Sequence, residues 1–130
     1  MSANKLVLIV EDNEDFQHLY GIVAEGAGFA VERIYNGREA LARIDRDPIP
    51  DIVFLDAFLP YAGGEDVLAA ARKNPKWARL PIYILTADVR EAQRLRGIAP
   101  KALLADGVIE KGGDSIAVLR VLLADLAKKE

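Results

Sequence analysis

Apolar runs of about five residues recur along this chain, separated by longer stretches of helical period. The clearest are Leu6-Val7-Leu8-Ile9-Val10, Ile52-Val53-Phe54-Leu55 and Ile82-Tyr83-Ile84-Leu85, with Val108-Ile109 a shorter one and Ala30 to Tyr35 a more polar one. Continuous rather than alternating apolar character predicts strands covered on both faces, as in a parallel sheet with helices on either side. Between the strands, Phe16, Leu19, Tyr20, Val23 and Ala27 predict a first helix, capped by Asn13 and stopped near Gly28. Ala40, Leu41 and Ile44 predict a second, ending before Pro48. Val67, Leu68 and Ala71 predict a third, closed by Asn74-Pro75. A short helix is expected in the basic stretch Arg90 to Lys101. A last one runs from a cap at Asp114 or Ser115 through Leu119, Leu122 and Leu126. Five strands alternating with five helices give an α/β domain on a mainly parallel sheet.

Composition narrows the function without naming it. With 130 residues the chain suits one domain and one core. A net charge of -3 argues against nucleic acid as a direct partner, since domains that bind it are usually strongly basic. The absence of cysteine removes disulfides, thiol nucleophiles and thiolate metal sites, and the lone His18 rules out a site of several imidazoles. The start leads straight into a strand rather than a signal segment, and no apolar run nears the roughly 18 residues that span a bilayer. The expectation is a cytoplasmic protein with no membrane partner.

The ends of the runs carry the chemistry. The first ends in Glu11-Asp12, the third in Asp56, the fourth in Thr86, and the fifth is followed closely by Lys111. In an open parallel sheet, ligands gather at the carboxyl ends of strands. Three carboxylates gathered there would repel, by about 4 kcal/mol for a pair about 4 Å apart at an effective dielectric near 20. Mg²⁺, a hard cation that uses one or two carboxylates and bridges to phosphate oxygens, offsets that repulsion. Lys111 suits a phosphate oxygen as a point charge, the Thr86 hydroxyl another, and an aspartate carboxylate can itself become an aspartyl phosphate. Taken singly, each of these residues is an ordinary surface group at a strand end; the set is what points to a phosphoryl site.

Over essentially its whole length the chain resembles the response-regulator receiver domain. The acidic pair Glu11-Asp12, the acceptor Asp56, the hydroxyl residue Thr86 and Lys111 match in order, with Pro60 and Gly64 at the expected distances after the acceptor. The resemblance implies a doubly wound (βα)5 flavodoxin-like sandwich with strand order 2-1-3-4-5, a single receiver domain over residues 1–130 (core about 5–127) and no output domain. It implies Mg²⁺, or Mn²⁺ in its place, held by Asp12, Asp56 and the backbone carbonyl of Phe58, with Glu11 acting through water. It also implies phosphorylation of Asp56 by a histidine kinase or histidine phosphotransfer protein, and signalling to a downstream protein partner as a monomer or weak dimer. Such a protein accepts and sheds its own phosphoryl group and transforms no separate substrate.

Several positions depart from the receiver pattern. Receivers usually carry Tyr or Phe three residues before the lysine, where this chain has Val108, so the switch expected of Thr86 and the aromatic residue lacks its ring. Gly112-Gly113 follows Lys111 in place of proline, and the loop there is expected to be more mobile. Thr86 and Lys111 are 25 positions apart, with Ala99-Pro100-Lys101 as the extra segment. Arg90, Arg94, Arg96 and Lys101 make that region basic, either as a solvated helix face or as a docking patch. Phe58, two residues after the acceptor, is placed to shield the phosphoryl group from water. The alternative is a receiver-like interaction module that acts independently of phosphorylation. A Mg²⁺-dependent aspartyl-phosphate phosphatase would need an Asp where Phe58 stands.

Overall fold

The computed structural model of the protein describes residues 5–98 and 104–129. Strands β1 (Leu6–Val10), β2 (Ala30–Ile34), β3 (Ile52–Asp56), β4 (Ile82–Thr86) and β5 (Gly107–Glu110) form one parallel sheet in the order β2-β1-β3-β4-β5. Five helices are described: α1 (Glu14–Gly26), α2 (Gly37–Ile44), α3 (Gly64–Lys73), α4 (Val89–Arg96) and α5 (Ser115–Ala127). The parallel α/β sheet is the one that the alternating pattern predicts, and its strand order is the flavodoxin-like one that the receiver resemblance implies. The strand order reverses between β1 and β3, which opens a crevice at their carboxyl ends.

Strand alternation divides the core into two layers. Leu8, Val10, Val53, Leu55, Ile82 and Ile84 face α2, α3 and α4, where Val67, Leu68, Ala71 and Leu95 cover them. Val7, Ile9, Ile52, Phe54, Leu85 and Ile109 face α1 and α5, under Tyr20, Ala24, Leu119 and Leu123. The three central strands, buried on both faces, therefore read as unbroken apolar runs. β2 is an edge strand with only Ile34 buried, and it carries Glu32 and Arg33, which pair with Arg43 and Glu25.

Local signals fix most helix ends. The Asn13 side chain accepts the Phe16 N–H, Asn36 does the same for Glu39, and Asp88 caps α4 through the Arg90 and Glu91 N–H groups. α1 stops at Gly26, with Gly28 in the exit turn, and Asn74 ends α3. Asp114 stands at the start of α5 without a side-chain capping bond. The inward face of α1 differs from the expected one: Leu19 and Ala27 are exposed, while Gln17, Tyr20, Gly21 and Ala24 are buried. Phe16, Tyr20 and Val23 pack on the core as expected, and beside them the buried Gln17 amide finds three backbone acceptors. The expected extra segment Ala99-Pro100-Lys101 lies outside the described residues. No helix among the described residues is long and apolar enough to cross a membrane.

Candidate functional site

The pleat that builds the core also aims the site. Ile9, Phe54 and Ile109 all point into the α1/α5 layer. Two residues further on, at the same phase, stand Glu11, Asp56 and Lys111, so the three side chains leave their strands on the same side of the sheet. One oxygen from each of Glu11, Asp12 and Asp56 lies within 4.8 Å of the others. Lys111 Nζ pairs with Glu11 Oε1 and lies 3.2 Å from Asp56 Oδ2. Glu11 (0 % exposed) and Asp56 (3 %) are buried, whereas Asp12 is open to solvent.

This burial has an electrostatic consequence. Removal from water, then the Glu11 carboxyl beside it, push the Asp56 carboxyl up to about 8; Lys111 and the Phe58 N–H oppose the shift without cancelling it. For Lys111, burial pulls downward, yet Glu11 and Asp56 together outweigh it and raise its pKa. One ammonium does not balance three carboxylates, two of them buried. The donor set, all hard carboxylate oxygen with one side open, fits a divalent cation of the Mg²⁺ or Mn²⁺ kind.

Neighbouring groups hold these side chains in place. The Phe58 N–H donates to Asp56 Oδ1 at 3.2 Å, and the Glu11 carboxylate accepts the Asn13 N–H at 3.1 Å. Gly64 lets the start of α3 press against the end of β3, since a Cβ there would stand 2.3 Å from the Asp56 carbonyl oxygen. Gln17 escaped the sequence reading, and Phe16 entered it only as a position on the apolar face of the first helix. The buried Gln17 amide donates to the carbonyls of Ile9, Glu11 and Ile34, tying together the ends of β1 and β2. Phe16 lays its ring 5.0 Å from Lys111 Nζ and stacks on Tyr20, whose hydroxyl bonds Ser115 Oγ. The signal for Gln17 was helical phase: it lies three and four positions before Tyr20 and Gly21 on the buried face.

The remaining candidates are more dispersed. Thr86 ends β4, fully buried, beside the strand that carries Asp56. Its phase follows Ile84, so it leaves the opposite side of the pleat, and its hydroxyl accepts the Asp88 N–H at 3.2 Å. Val108 also belongs to that opposite layer, packed against the α2/α3/α4 core. Its carbonyl accepts from Arg96, which pairs with Glu110 as well. The Phe58 side chain is 58 % exposed. Of the basic segment, Arg94 is paired with Glu65 and Glu91, as expected of a solvated helix face.

Fold and site together define a signalling receiver, and the sequence comparison agrees: residues 7–122 match the response regulator receiver domain family, to which the chain belongs. It is 38 % identical over 96 residues to the phosphate regulon transcriptional regulatory protein PhoB of Rhizobium meliloti, an alignment covering 74 % of this chain and 42 % of that protein. The chain thus spans less than half the length of that relative. Among solved structures it is similar to the chemotaxis response regulator CheY4 of Vibrio cholerae, at 26 % identity and TM-score 0.80, over 95 % of this chain and 99 % of that one. The receiver domain of sensor histidine kinase PA1611 from Pseudomonas aeruginosa PAO1, described with a magnesium ion in its active-site cleft, shares the fold at 22 % identity and TM-score 0.79, over 97 % of this chain and 100 % of that one.

Proposed function

We propose that this chain is a phosphoacceptor receiver of a two-component phosphorelay. A histidine kinase or phosphotransfer protein delivers a phosphoryl group to Asp56, and a protein partner reads the result. The observation that carries this reading is the convergence of Glu11, Asp12 and Asp56 with Lys111 at the crevice between β1 and β3. An Asp56 carboxylate oxygen attacks phosphorus, and the bond to the donor nitrogen breaks as the histidine leaves. Lys111, already 3.2 Å from Asp56 Oδ2, favours the ionised carboxylate and then pairs with a phosphoryl oxygen. Asp12, Asp56 and the Phe58 carbonyl would hold Mg²⁺, with Glu11 acting through water, and the ion would neutralise the crowded carboxylates and the transferred oxygens. Thr86 is the hydroxyl donor to the phosphoryl group: its oxygen accepts the Asp88 N–H, which leaves its own O–H to donate. Phe58 screens the acyl phosphate from water.

Intact mass after incubation with acetyl phosphate and Mg²⁺ tests this. One added phosphoryl group is expected, absent from Asp56→Asn and absent without the metal. Val108 favours a second reading, a receiver-like module that binds its partner without phosphorylation, because no aromatic ring stands on β5 to change place beside Thr86. No adduct, together with no detectable Mg²⁺ binding, would select that reading.

A further inference from the structure

The loop that joins β3 to α3 arches over Asp56 and is fastened at both feet. The Ala57 N–H donates to Leu85 O at its start, and the Gly64 N–H donates to Ala57 O at its end. Its crown is unusual. Tyr61 has φ +72, and the Ala62 N–H bonds back to the Pro60 carbonyl at 2.9 Å, a left-handed three-residue turn that is rare and strained for any residue but glycine. The ring gains nothing from burial, being 75 % exposed. Such strain persists only where neighbouring structure enforces it.

The enforcing structure belongs to the first turn of α2. The Gly37 N–H donates to the same Pro60 carbonyl at 3.1 Å. The Arg38 guanidinium covers the Tyr61 ring at 4.6 Å from its centroid. Gly37 is packed so closely that a Cβ would stand 2.0 Å from the Ala62 carbonyl oxygen. Leu59 reaches into the core below, but the crown itself is held from the side by Gly37 and Arg38. Neither residue is among those that form the acidic site.

We propose that Gly37, Arg38 and Tyr61 form a latch that sets the height of the loop over Asp56, making Arg38 a positioning residue for the phosphoryl site. The proposal rests on the receiver reading of Asp56. Between the foot at Asp56 and the crown at Tyr61 lies Phe58, whose N–H is bonded to Asp56 Oδ1. Releasing the crown therefore loosens the ligand carbonyl and the screen together. Arg38 is exposed, so its loss leaves the core intact and the fold stable.

The test compares wild type with Arg38→Ala, Arg38→Lys, Tyr61→Leu and the double variant Arg38→Ala/Tyr61→Leu. Mg²⁺ affinity is read from the Phe58 and Gly64 amide resonances, and phosphoryl lifetime by intact mass. Arg38→Ala and Tyr61→Leu should each weaken Mg²⁺ and shorten the lifetime about two- to fivefold, the worth of one exposed cation–ring contact. Melting should be nearly unchanged. Arg38→Lys should restore most of the loss, and the double variant should lose no more than either single one. Wild-type values in Arg38→Ala, or strictly additive losses in the double variant, would overturn the latch. If wild type itself takes neither Mg²⁺ nor phosphate, it is the receiver reading that fails. Hydrogen exchange at the Gly37 and Ala62 amides then decides on the latch alone: faster exchange in Arg38→Ala supports it, and equal exchange rejects it.

Discussion

Asp56 concentrates the energetic conflict of the molecule in one side chain. Its carboxyl is raised to about 8 in the fold, by burial and then by Glu11, from an ordinary value of 3.8. The folded state thus holds this proton more tightly than the unfolded chain does. The stabilisation is fully present below about pH 4 and is lost as pH rises through about 8. In metal-free buffer the melting temperature should fall across that interval, after allowance for other carboxylates, and Asp56→Asn should flatten the fall. At pH 8 the same variant should melt higher than wild type, by about 5 °C or more, because it removes a buried charge that Lys111 only partly balances. Calorimetry without divalent metal checks both, and a variant melting at or below wild type would mean that the carboxylates do not conflict. Phe58 offers a second prediction at this scale. Replacing its exposed ring by a polar group that can orient water, as in Phe58→Asn, should speed loss of phosphate several-fold. Decay of the phosphorylated mass with time measures it.

At the scale of elements, most of what was legible in the sequence was local. Runs of apolar residues marked the three central strands, because strands covered on both faces have no polar side to show. Asn13 and Asp56 were legible because a cap and a strand-ending acid need only their immediate neighbours. The buried polar residues were not, because their partners come from distant stretches of chain. Gln17 satisfies carbonyls on both β1 and β2 from the buried face of α1, on which Leu19 and Ala27 do not lie. Arg43 is the second case. Its side chain is 1 % exposed, bonded through Nε to both Glu32 oxygens and through its outer nitrogens to the Arg46 and Pro48 carbonyls. One guanidinium thereby ties α2 to β2 and to the turn entering β3. The side of the pleat taken by Thr86 was readable from Ile84 but became informative only once both layers of core were known. Arg43→Ala leaves Glu32 with Arg46 alone and two carbonyls without their partner, and should cost about 3 kcal/mol. It should appear as a lower urea midpoint at unchanged slope, with Mg²⁺ affinity retained because Arg43 takes no part in the acidic site.

For the molecule as a whole, stability and function meet at the β1/β3 crevice. The two apolar layers hold the sheet rigid, and against that rigidity the three carboxylates cannot move apart to relieve one another. A cation that binds only the folded site must then stabilise the entire fold. At a free Mg²⁺ concentration about one hundred times its dissociation constant, linkage gives about 2.7 kcal/mol. For a chain of 130 residues that is about 10 °C in melting temperature. Protons compete for the same oxygens, since Asp56 keeps its proton up to about pH 8 in the metal-free fold. The Mg²⁺-induced rise, at fixed total metal, should therefore be small near pH 5 and grow towards pH 8, opposite in slope to the metal-free curve. In Asp56→Asn both slopes should largely vanish together, because one carboxylate is responsible for each. Thermal melts at matched ionic strength across that range, with and without Mg²⁺, measure the pair. A rise of equal size at every pH, or one that survives in Asp56→Asn, would place the ion somewhere other than between Glu11, Asp12 and Asp56.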